Sequence, residues 1–346
     1  MLSDRIEAKW INAFERVFSL CKVAAGDEVV ILSETQSRAL NVQLSELALL
    51  RMGAKPVHVV MPTPPQTAPV PVRSTGASQA LQHSKAALAA LTSVPMIVDC
   101  TLEGPMHAPE LPTILKSGAR VLFVSNEHPE ALERLVPTED LKPKVLAASR
   151  LVRKSAEMRV TSTAGTDLTV NMVKSPTVGN WGFTDKPGTL THWPGGVLVS
   201  FPRANSVNGT LVLDVGDINL TFKRYIEQQL VLTIENDYIT HIEGSGTDYE
   251  LFTRYLAAWN DPLAYATSHV GWGLNPNARY ESLTMYDKRD FNGTETRCYA
   301  GNFLFSTGAN EFAGRFTEGH FDIPVRNCTI TLDGKVAVDA GKLVEL

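Results

Sequence analysis

A histidine and an aspartate near the end of the chain are the first residues whose types and spacing suggest chemistry. His320 and Asp322 are separated by one residue. In an extended segment alternate side chains leave the same face, so this imidazole and this carboxylate would point the same way. Together they supply two of the three protein ligands of a common first-row metal site. Because His-x-Asp also occurs by chance, the prediction of a metal site needs a third ligand from elsewhere.

The candidate for that third ligand is His269, in a glycine-rich run at residues 268–276. If this run is extended, His269, Gly271 and Gly273 share one face, and the two glycines leave room beside the imidazole for a metal and a small ligand. The alternative is a histidine that caps a turn, with glycines that serve only the backbone. The residues alone favour this second interpretation by a modest margin.

Two other histidines lie in connections rich in glycine and proline, where functional residues concentrate. They are His107, between Pro105 and Pro109, and His192, just before a Trp-Pro-Gly-Gly turn. The surroundings of the remaining four predict structural or solvated roles; these are His58, His83, His128 and His241.

The elements that position these residues differ between the two parts of the chain. Short apolar runs alternate with helical patterns over residues 1–150, which is typical of a parallel sheet in an α/β layer. The predicted strands are 27–34, 56–61, 95–100 and 119–126, and the predicted helices are 38–52, 80–91, 110–118 and 139–158. Five prolines in residues 62–72 predict a loop, and the sequence leaves open whether it closes over the site.

From about residue 158 the chain becomes rich in β-branched, alternating strands with one helix at 249–259. Asp333-Gly334 between two strand-like runs predicts a hairpin. The fold class predicted is therefore an N-terminal α/β domain, residues 1–150, followed by a C-terminal β-rich α+β domain, residues 151–346, which would carry the metal ligands.

Composition excludes several classes of partner. The net charge is −5 with no block of lysine or arginine, so nucleic acid is not expected. The charged N-terminus and the lack of a long apolar span predict a cytoplasmic protein with no membrane partner. No glycine-rich phosphate motif supports a nucleotide. The four cysteines are widely separated, which predicts reduced, buried thiols.

Several strings resemble those of 2,5-dihydroxypyridine 5,6-dioxygenases, and the similarity runs over nearly the whole chain. They are SHVGWGLNP, YAGNFLFSTGAN and HFDIPVRNC, with HWPGG and GTLVLDVGDI upstream. These ring-opening enzymes share a fold with the two-metal aminopeptidases related to thermophilic aminopeptidase T. The resemblance implies that His269, His320 and Asp322 bind one Fe(II), with positions left open for substrate and O₂.

The same resemblance implies roles for four further residues. His107 would be the base that takes a proton from the ring hydroxyl, and His192 and Ser306 would bind the substrate. Asn180 would also line the pocket, where the family carries an acidic residue. This departure predicts a preference for a differently substituted hydroxypyridine.

Three hypotheses follow. The favoured one is a mononuclear Fe(II) dioxygenase that opens 2,5-dihydroxypyridine between C5 and C6 to N-formylmaleamate, acting as a homo-oligomer in nicotinate or picolinate breakdown. The alternative is a metallo-aminopeptidase of the same fold. Those peptidases place glutamates where this chain has Val197, after the Pro194–Gly196 turn, and His269. The third is a binding protein that kept the fold and lost the chemistry.

Overall fold

The computed structural model describes residues 5–65 and 79–345. Its helices are α1 Ala8–Leu20, α2 Ala39–Arg51, α3 Lys85–Thr92, α4 Leu111–Lys116, α5 Pro129–Arg134, α6 Leu141–Lys154, α7 Gly246–Ala258, α8 Ser282–Met285 and α9 Thr294–Cys298. Its strands are β1 Glu28–Glu34, β2 Lys55–Met61, β3 Met96–Asp99, β4 Arg120–Val124, β5 Glu157–Thr161, β6 Asp167–Asn171, β7 Thr177–Asn180, β8 Leu190–Trp193, β9 Val197–Ser200, β10 Val207–Leu213, β11 Ile218–Asn219, β12 Arg224–Tyr225, β13 Leu230–Glu235, β14 Tyr238–Glu243, β15 Thr267–Gly273, β16 Phe303–Asn310, β17 Arg315–Val325, β18 Thr329–Leu332, β19 Lys335–Asp339 and β20 Lys342–Leu343.

The first half folds around a parallel sheet with the strand order β2-β1-β3-β4-β8. Its central strands are buried on both faces, because successive side chains enter different cores. Val29 and Ile31 of β1 pack with Phe14 of α1, whereas Val30 and Leu32 pack in the cluster that includes α3 and α4. The apolar runs in the sequence are therefore explained by helices on both sides of the sheet.

One strand of this sheet comes from the second half of the chain. β8 pairs in parallel with β4, with Leu122 opposite Thr191 and Phe123 opposite His192. The polypeptide thus returns to the first sheet about forty residues after the predicted boundary near residue 150. The division at that boundary stays a prediction.

The second half contains two large antiparallel sheets packed around one core. Their strand orders are β14-β13-β10-β6-β5-β18-β19-β20 and β17-β16-β15-β9-β7. Leu168 and Leu232 of the eight-stranded sheet share this core with Trp272, Phe305 and Ile323 of the five-stranded sheet. An α/β part followed by a β-rich part is the predicted fold class, which is confirmed.

Of two local predictions about glycine, the backbone confirms the first and corrects part of the second. Asp333 and Gly334 both have positive φ, +48° and +81°, which is the conformation of a tight hairpin turn between β18 and β19. His269, Gly271 and Gly273 lie in one extended strand, β15. The prediction that the two glycines leave room for a metal and a small ligand was wrong. A side chain at Gly271 would overlap the carbonyl oxygen of Leu198 in β9, and one at Gly273 would overlap that of Tyr299, so these glycines permit close approach of backbone.

Two predicted helices were too long. The helix predicted over 80–91 begins only at Lys85, because the backbone before it turns with positive φ and the Ser84 hydroxyl accepts the N–H of Ala87. The helix predicted over 139–158 ends at Lys154. There the carboxylate of Asp333 accepts the N–H groups of Ala156 and Glu157 at the start of β5.

The structure describes all four cysteines but only part of the predicted proline loop. Residues 62–65 form no helix or strand, and the rest of the predicted proline loop, up to 72, lies outside the described residues. The four cysteines are free and buried, as predicted. Over the ranges that the structure covers, no helix is both long and apolar enough to cross a membrane.

The close pairing of β16 and β17 beside His320 gives a stability prediction. A Cβ on Gly308, whose φ is +108°, would overlap the carbonyl oxygen of Gly319, so Gly308→Ala forces backbone to move. We expect it to lower the free energy of unfolding in urea by more than about 3 kcal/mol. Gly26→Ala is the control, since its Cβ would meet nothing and only its φ of +89° costs about 1 kcal/mol. Equal losses would contradict the steric explanation.

Candidate metal centre

Three side chains from two strands of the five-stranded sheet converge at one point. His320 and Asp322 leave the same face of β17, as predicted for an extended His-x-Asp step, and His269 comes from β15. β16 lies between these two strands and pairs with both. All three residues are buried, so two strands that are not neighbours present their polar groups at one point in the protein interior.

The distances suit a single ion. Asp322 Oδ1 lies 3.5 Å from His269 Nε2 and 3.2 Å from His320 Nε2. Two ligand atoms about 2.1 Å from one ion and at right angles to each other would lie about 3 Å apart. Within the described part of the chain, these three residues form the group of histidine and acidic side chains whose ligand atoms are mutually close enough to hold a metal.

The Asp322 carboxylate is held by groups outside this trio. Arg297 Nε donates to Oδ2 at 2.6 Å, and the Ser306 hydroxyl donates to Oδ1. Burial alone would raise the pKa of Asp322, but Arg297 and the two imidazoles hold that pKa well below its usual range. The carboxylate is therefore ionised, with one oxygen committed to Arg297 and the other facing the imidazoles.

The imidazole of His269 is in the form that binds metals. Burial lowers its pKa to about 3, so the ring is neutral at neutral pH. The Nδ1 atoms of His269 and His320 are buried and have no hydrogen-bond partner among the described residues. An ionised carboxylate with a neutral imidazole is the protonation state that metal binding requires. The residues present thus fit a divalent metal.

The trio lies in a pocket of about 650 Å³, which includes open solvent at its mouth. Four aliphatic side chains exclude water from part of its wall; they are Val178, Val197, Val199 and Leu304. Its polar lining includes His107, His192 and Thr294, so the pocket suits a small, partly polar ligand.

His107 reaches this pocket from the N-terminal half, on the connection between β3 and α4. Its ring centroid lies 5.7 Å from that of His320. Burial, followed by repulsion from His320, lowers the pKa of His107 to about 4, so the ring is neutral at physiological pH. The structure therefore brings the predicted base beside the predicted ligands.

His192 and Asn180 also line the pocket, but their side chains are used differently. Burial lowers the pKa of His192 to about 4, and its buried Nε2 has no partner among the described residues, so it is free to contact a ligand. Asn180 Oδ1 accepts the backbone N–H of Gly182 at 3.0 Å, and its Nδ2 donates to the carbonyl of Pro194 at 3.3 Å. These two hydrogen bonds of the Asn180 amide therefore stabilise the backbone turn near His192.

Ser306 has a different place from the one expected. It lies directly opposite Asp322 in the pairing of β16 with β17, it is fully buried, and it is not among the residues that line the pocket. Its hydroxyl contacts the Asp322 carboxylate. The structure therefore gives Ser306 a contact with a predicted metal ligand instead of a surface open to substrate.

Arg297 is the pocket residue that the sequence did not reveal. It lies on α9, it is 7% exposed, and its guanidinium contacts Asp322 from a position 25 residues earlier in the chain. The segment around it reads as an ordinary polar helix, and no spacing motif connects it with Asp322. Only the folded arrangement of α9 against β17 makes the pair visible.

The chain is similar to known proteins over almost its whole length. The family model for 2,5-dihydroxypyridine 5,6-dioxygenase matches residues 9–345. The chain belongs to the 2,5-dihydroxypyridine 5,6-dioxygenase family. A relative of that name from Pseudomonas putida is 39% identical over 341 residues, covering 97% of this chain and 96% of the relative.

Solved structures agree with this family assignment. The structure of 2,5-dihydroxypyridine dioxygenase from Pseudomonas putida matches with a TM-score of 0.93 and 39% identity, over 99% of each chain. AmpT from Thermus thermophilus matches with a TM-score of 0.60 and 14% identity, over 97% of this chain and 99% of that one. The second likeness concerns the fold alone and confirms that this dioxygenase family has the aminopeptidase T-like fold.

The lowered histidine pKa values give a pH prediction for the metal-free protein. In the unfolded chain histidine titrates near 6.5, whereas in the folded protein His107, His192 and His269 stay neutral down to about 3 to 4. Between these limits the unfolded state binds more protons. The stability that these three histidines contribute is therefore fully present above pH 6.5 and is lost on acidification, by about 1.4 kcal/mol per pH unit for each histidine. Asp99 and Asp217, whose pKa burial raises to about 7, act in the opposite sense over the same range.

Urea unfolding after removal of metal by a chelator, between pH 7 and 4.5, measures this slope. His192→Gln should make the decline shallower, because one of the three titrating groups is gone. His241→Gln, at an exposed site on β14, should leave the slope as in the wild type. A His192→Gln variant whose stability changes with pH as steeply as that of the wild type would contradict the burial of a neutral imidazole at this position.

Proposed function

We propose that this protein is an Fe(II)-dependent dioxygenase that opens 2,5-dihydroxypyridine between C5 and C6 to N-formylmaleamate. The observation that carries the proposal is the convergence of His269, His320 and Asp322 in one pocket of a chain that belongs to this family. Both atoms of O₂ enter the product, so the reaction needs no external reductant. The substrate class follows from the names of the family and of the Pseudomonas putida relative.

His269, His320 and Asp322 would hold the iron through two imidazole nitrogens and one carboxylate oxygen. Bound Fe(II) supplies a route for electrons between the ring and O₂, whose direct reaction is slow. Two histidines and one carboxylate leave coordination positions open for other ligands. Arg297 occupies Oδ2 of Asp322, so the carboxylate offers mainly Oδ1 to the metal and takes up a single position.

The other pocket residues handle the substrate's protons and orientation. The neutral imidazole of His107 would accept the proton of a ring hydroxyl, which raises the electron density of the ring. His192, with its unpartnered Nε2, would donate to or accept from a ring substituent. The aliphatic wall would cover the flat faces of the heterocycle and limit the entry of water.

The metallo-aminopeptidase alternative gains no support from the site. The pocket positions where those peptidases place extra glutamates are occupied by Val197 and His269. A dinuclear hydrolytic site needs more carboxylates than the described residues bring together here. The homo-oligomer and the cytoplasmic location stay predictions.

Metal content and gas uptake test the proposal together. Protein reconstituted anaerobically with Fe(II) and then mixed with air and 2,5-dihydroxypyridine should retain one iron per chain. The substrate absorbance should disappear with one O₂ consumed per molecule. His320→Ala should lose both the iron and the activity. Two zinc ions per chain with cleavage of amino-acid amides would favour the peptidase, and no O₂ uptake with any of several hydroxypyridines would refute the dioxygenase.

Replacement of His107 tests its role as the base. His107→Gln should keep the iron and the fold, but lower kcat by roughly 10²- to 10⁴-fold, the usual contribution of a general base. His83→Gln is the matched control, a histidine with a strongly exposed side chain on the same half of the chain. A His107→Gln protein that is fully loaded with iron and turns over at the wild-type rate would remove the assignment.

A further inference from the structure

Residues 292–297, here called the bridging segment, connect the parallel sheet with the metal centre. The segment begins at Asn292, beside the carboxyl end of β4, and it ends at Arg297, whose guanidinium contacts Asp322. It is short and includes most of α9. Both ends of the segment are held by hydrogen bonds. A group that fixes its first residues therefore also affects the position of Arg297.

The first residues of the bridging segment are fixed by Glu127, three residues after β4. Glu127 Oε2 accepts the backbone N–H of Asn292, and Oε1 accepts those of Gly293 and Thr294, each at 2.9 Å. Glu127 is fully buried, so these three bonds stabilise its carboxylate where water cannot. The turn also requires Gly293, whose φ is +97°.

The far end of the segment is fixed as well. Asn302 Nδ2 donates to the carbonyl oxygens of Thr296 and Arg297, both at 3.0 Å, and so holds the last turn of α9. Midway, Glu295 forms a two-pronged ion pair with Arg134 of α5, at 2.6 and 3.0 Å. The segment is therefore held on several sides, with little freedom to shift without breaking a buried polar contact.

The same segment also contacts the connection that carries His107. Asn292 Nδ2 donates to the carbonyl oxygen of Leu102 at 3.2 Å, five residues before His107. The Thr294 hydroxyl, which lines the pocket, receives a hydrogen bond from Ser125 at 2.7 Å. Glu127 thus holds a segment that contacts both Asp322, a predicted metal ligand, and the connection that carries His107, the predicted base.

We propose that Glu127 is a positioning residue for the metal centre, acting through Arg297 on Asp322. It holds the start of α9 so that Arg297 keeps Oδ2 of Asp322 occupied and Oδ1 directed at the two imidazoles. It does not line the pocket itself, and its hydrogen bonds go to the backbone of Asn292, Gly293 and Thr294 and not to the proposed metal ligands. The inference rests on the proposed metal centre, because the role of Glu127 is measured as a change in the affinity of that centre for a metal.

Glu127→Gln is the sharpest substitution, because it preserves the shape of the side chain. The amide keeps one oxygen for Gly293 and Thr294, but turns an NH₂ group towards the N–H of Asn292, which then loses its acceptor. Residues that support metal ligands indirectly usually change metal affinity 10- to 100-fold. We expect the Kd for Co(II), a redox-stable probe, to rise by about that factor.

A double-mutant cycle separates positioning from general loosening. Calorimetric Co(II) titrations are made with the wild type, Glu127→Gln, Arg297→Met and the double variant. If Glu127 acts through Arg297, the double variant binds Co(II) no more weakly than Arg297→Met alone. Additive losses, or an unchanged Kd for Glu127→Gln, would overturn the proposal.

The matched control is Asp248→Asn, which changes another fully buried carboxylate that accepts two backbone N–H groups, those of Glu227 and Gln228. It lies on α7 and does not line the pocket, so it should lower stability without changing the Kd for Co(II). A comparable rise in Kd for this control would overturn the positioning role.

If Glu127→Gln does not fold, Glu127→Asp keeps the charge and withdraws it by one methylene. The Kd should rise here too, and an unchanged Kd would refute the proposal. A wild type that binds no Co(II) would instead remove the metal centre itself, and this inference with it.

Discussion

The ionised carboxylate of Asp322, buried among two imidazoles and a guanidinium, is the interaction on which the rest of the site depends. A buried charge is costly unless it is paired and hydrogen-bonded. Arg297 donates to Oδ2 of Asp322 and Ser306 donates to Oδ1, which also faces the two imidazoles. Because Arg297 comes from α9 and Ser306 from β16, the carboxylate can be satisfied only when helix and sheet are both in place.

Both halves of the chain contribute residues to the pocket. Metal ligands benefit from rigid strands, and the five-stranded sheet carries the three proposed ligands on β15 and β17. The proposed proton acceptor comes from a different part of the chain. The connection after β3 in the first half supplies His107, and β8 adds His192. Close contact between the halves is thus a condition for a complete pocket.

The sequence identified the three residues of the proposed metal site, but it did not reveal the groups that hold Asp322 in place. His320 and Asp322 could be paired from strand alternation alone, since two residues on one strand need no knowledge of the fold. His269 needed the resemblance to the dioxygenases. The contacts of Ser306 and Arg297 with Asp322 depend on the register of β16 against β17 and on the packing of α9, which local patterns do not encode.

Helix ends show the same limit on a smaller scale. Alternation and apolar periodicity placed the central strands and α2 close to their final bounds. The end of α6 was missed because Asp333, almost 180 residues later, accepts the N–H groups that begin β5. A contact between distant parts of the chain decides that boundary, so a window of neighbouring residues could not have revealed it.

β8 lies far along the chain from β4, its partner in the sheet, and this has a consequence for folding during synthesis. β4 is buried along its whole length, yet its outer neighbour lies at Leu190–Trp193, more than sixty residues further on. During synthesis β4 would be an open, apolar edge until those residues emerge, and such edges invite pairing with other chains. A fragment that stops at residue 150 would keep that edge permanently. The first sheet is therefore completed only by the part of the chain that carries the proposed metal ligands.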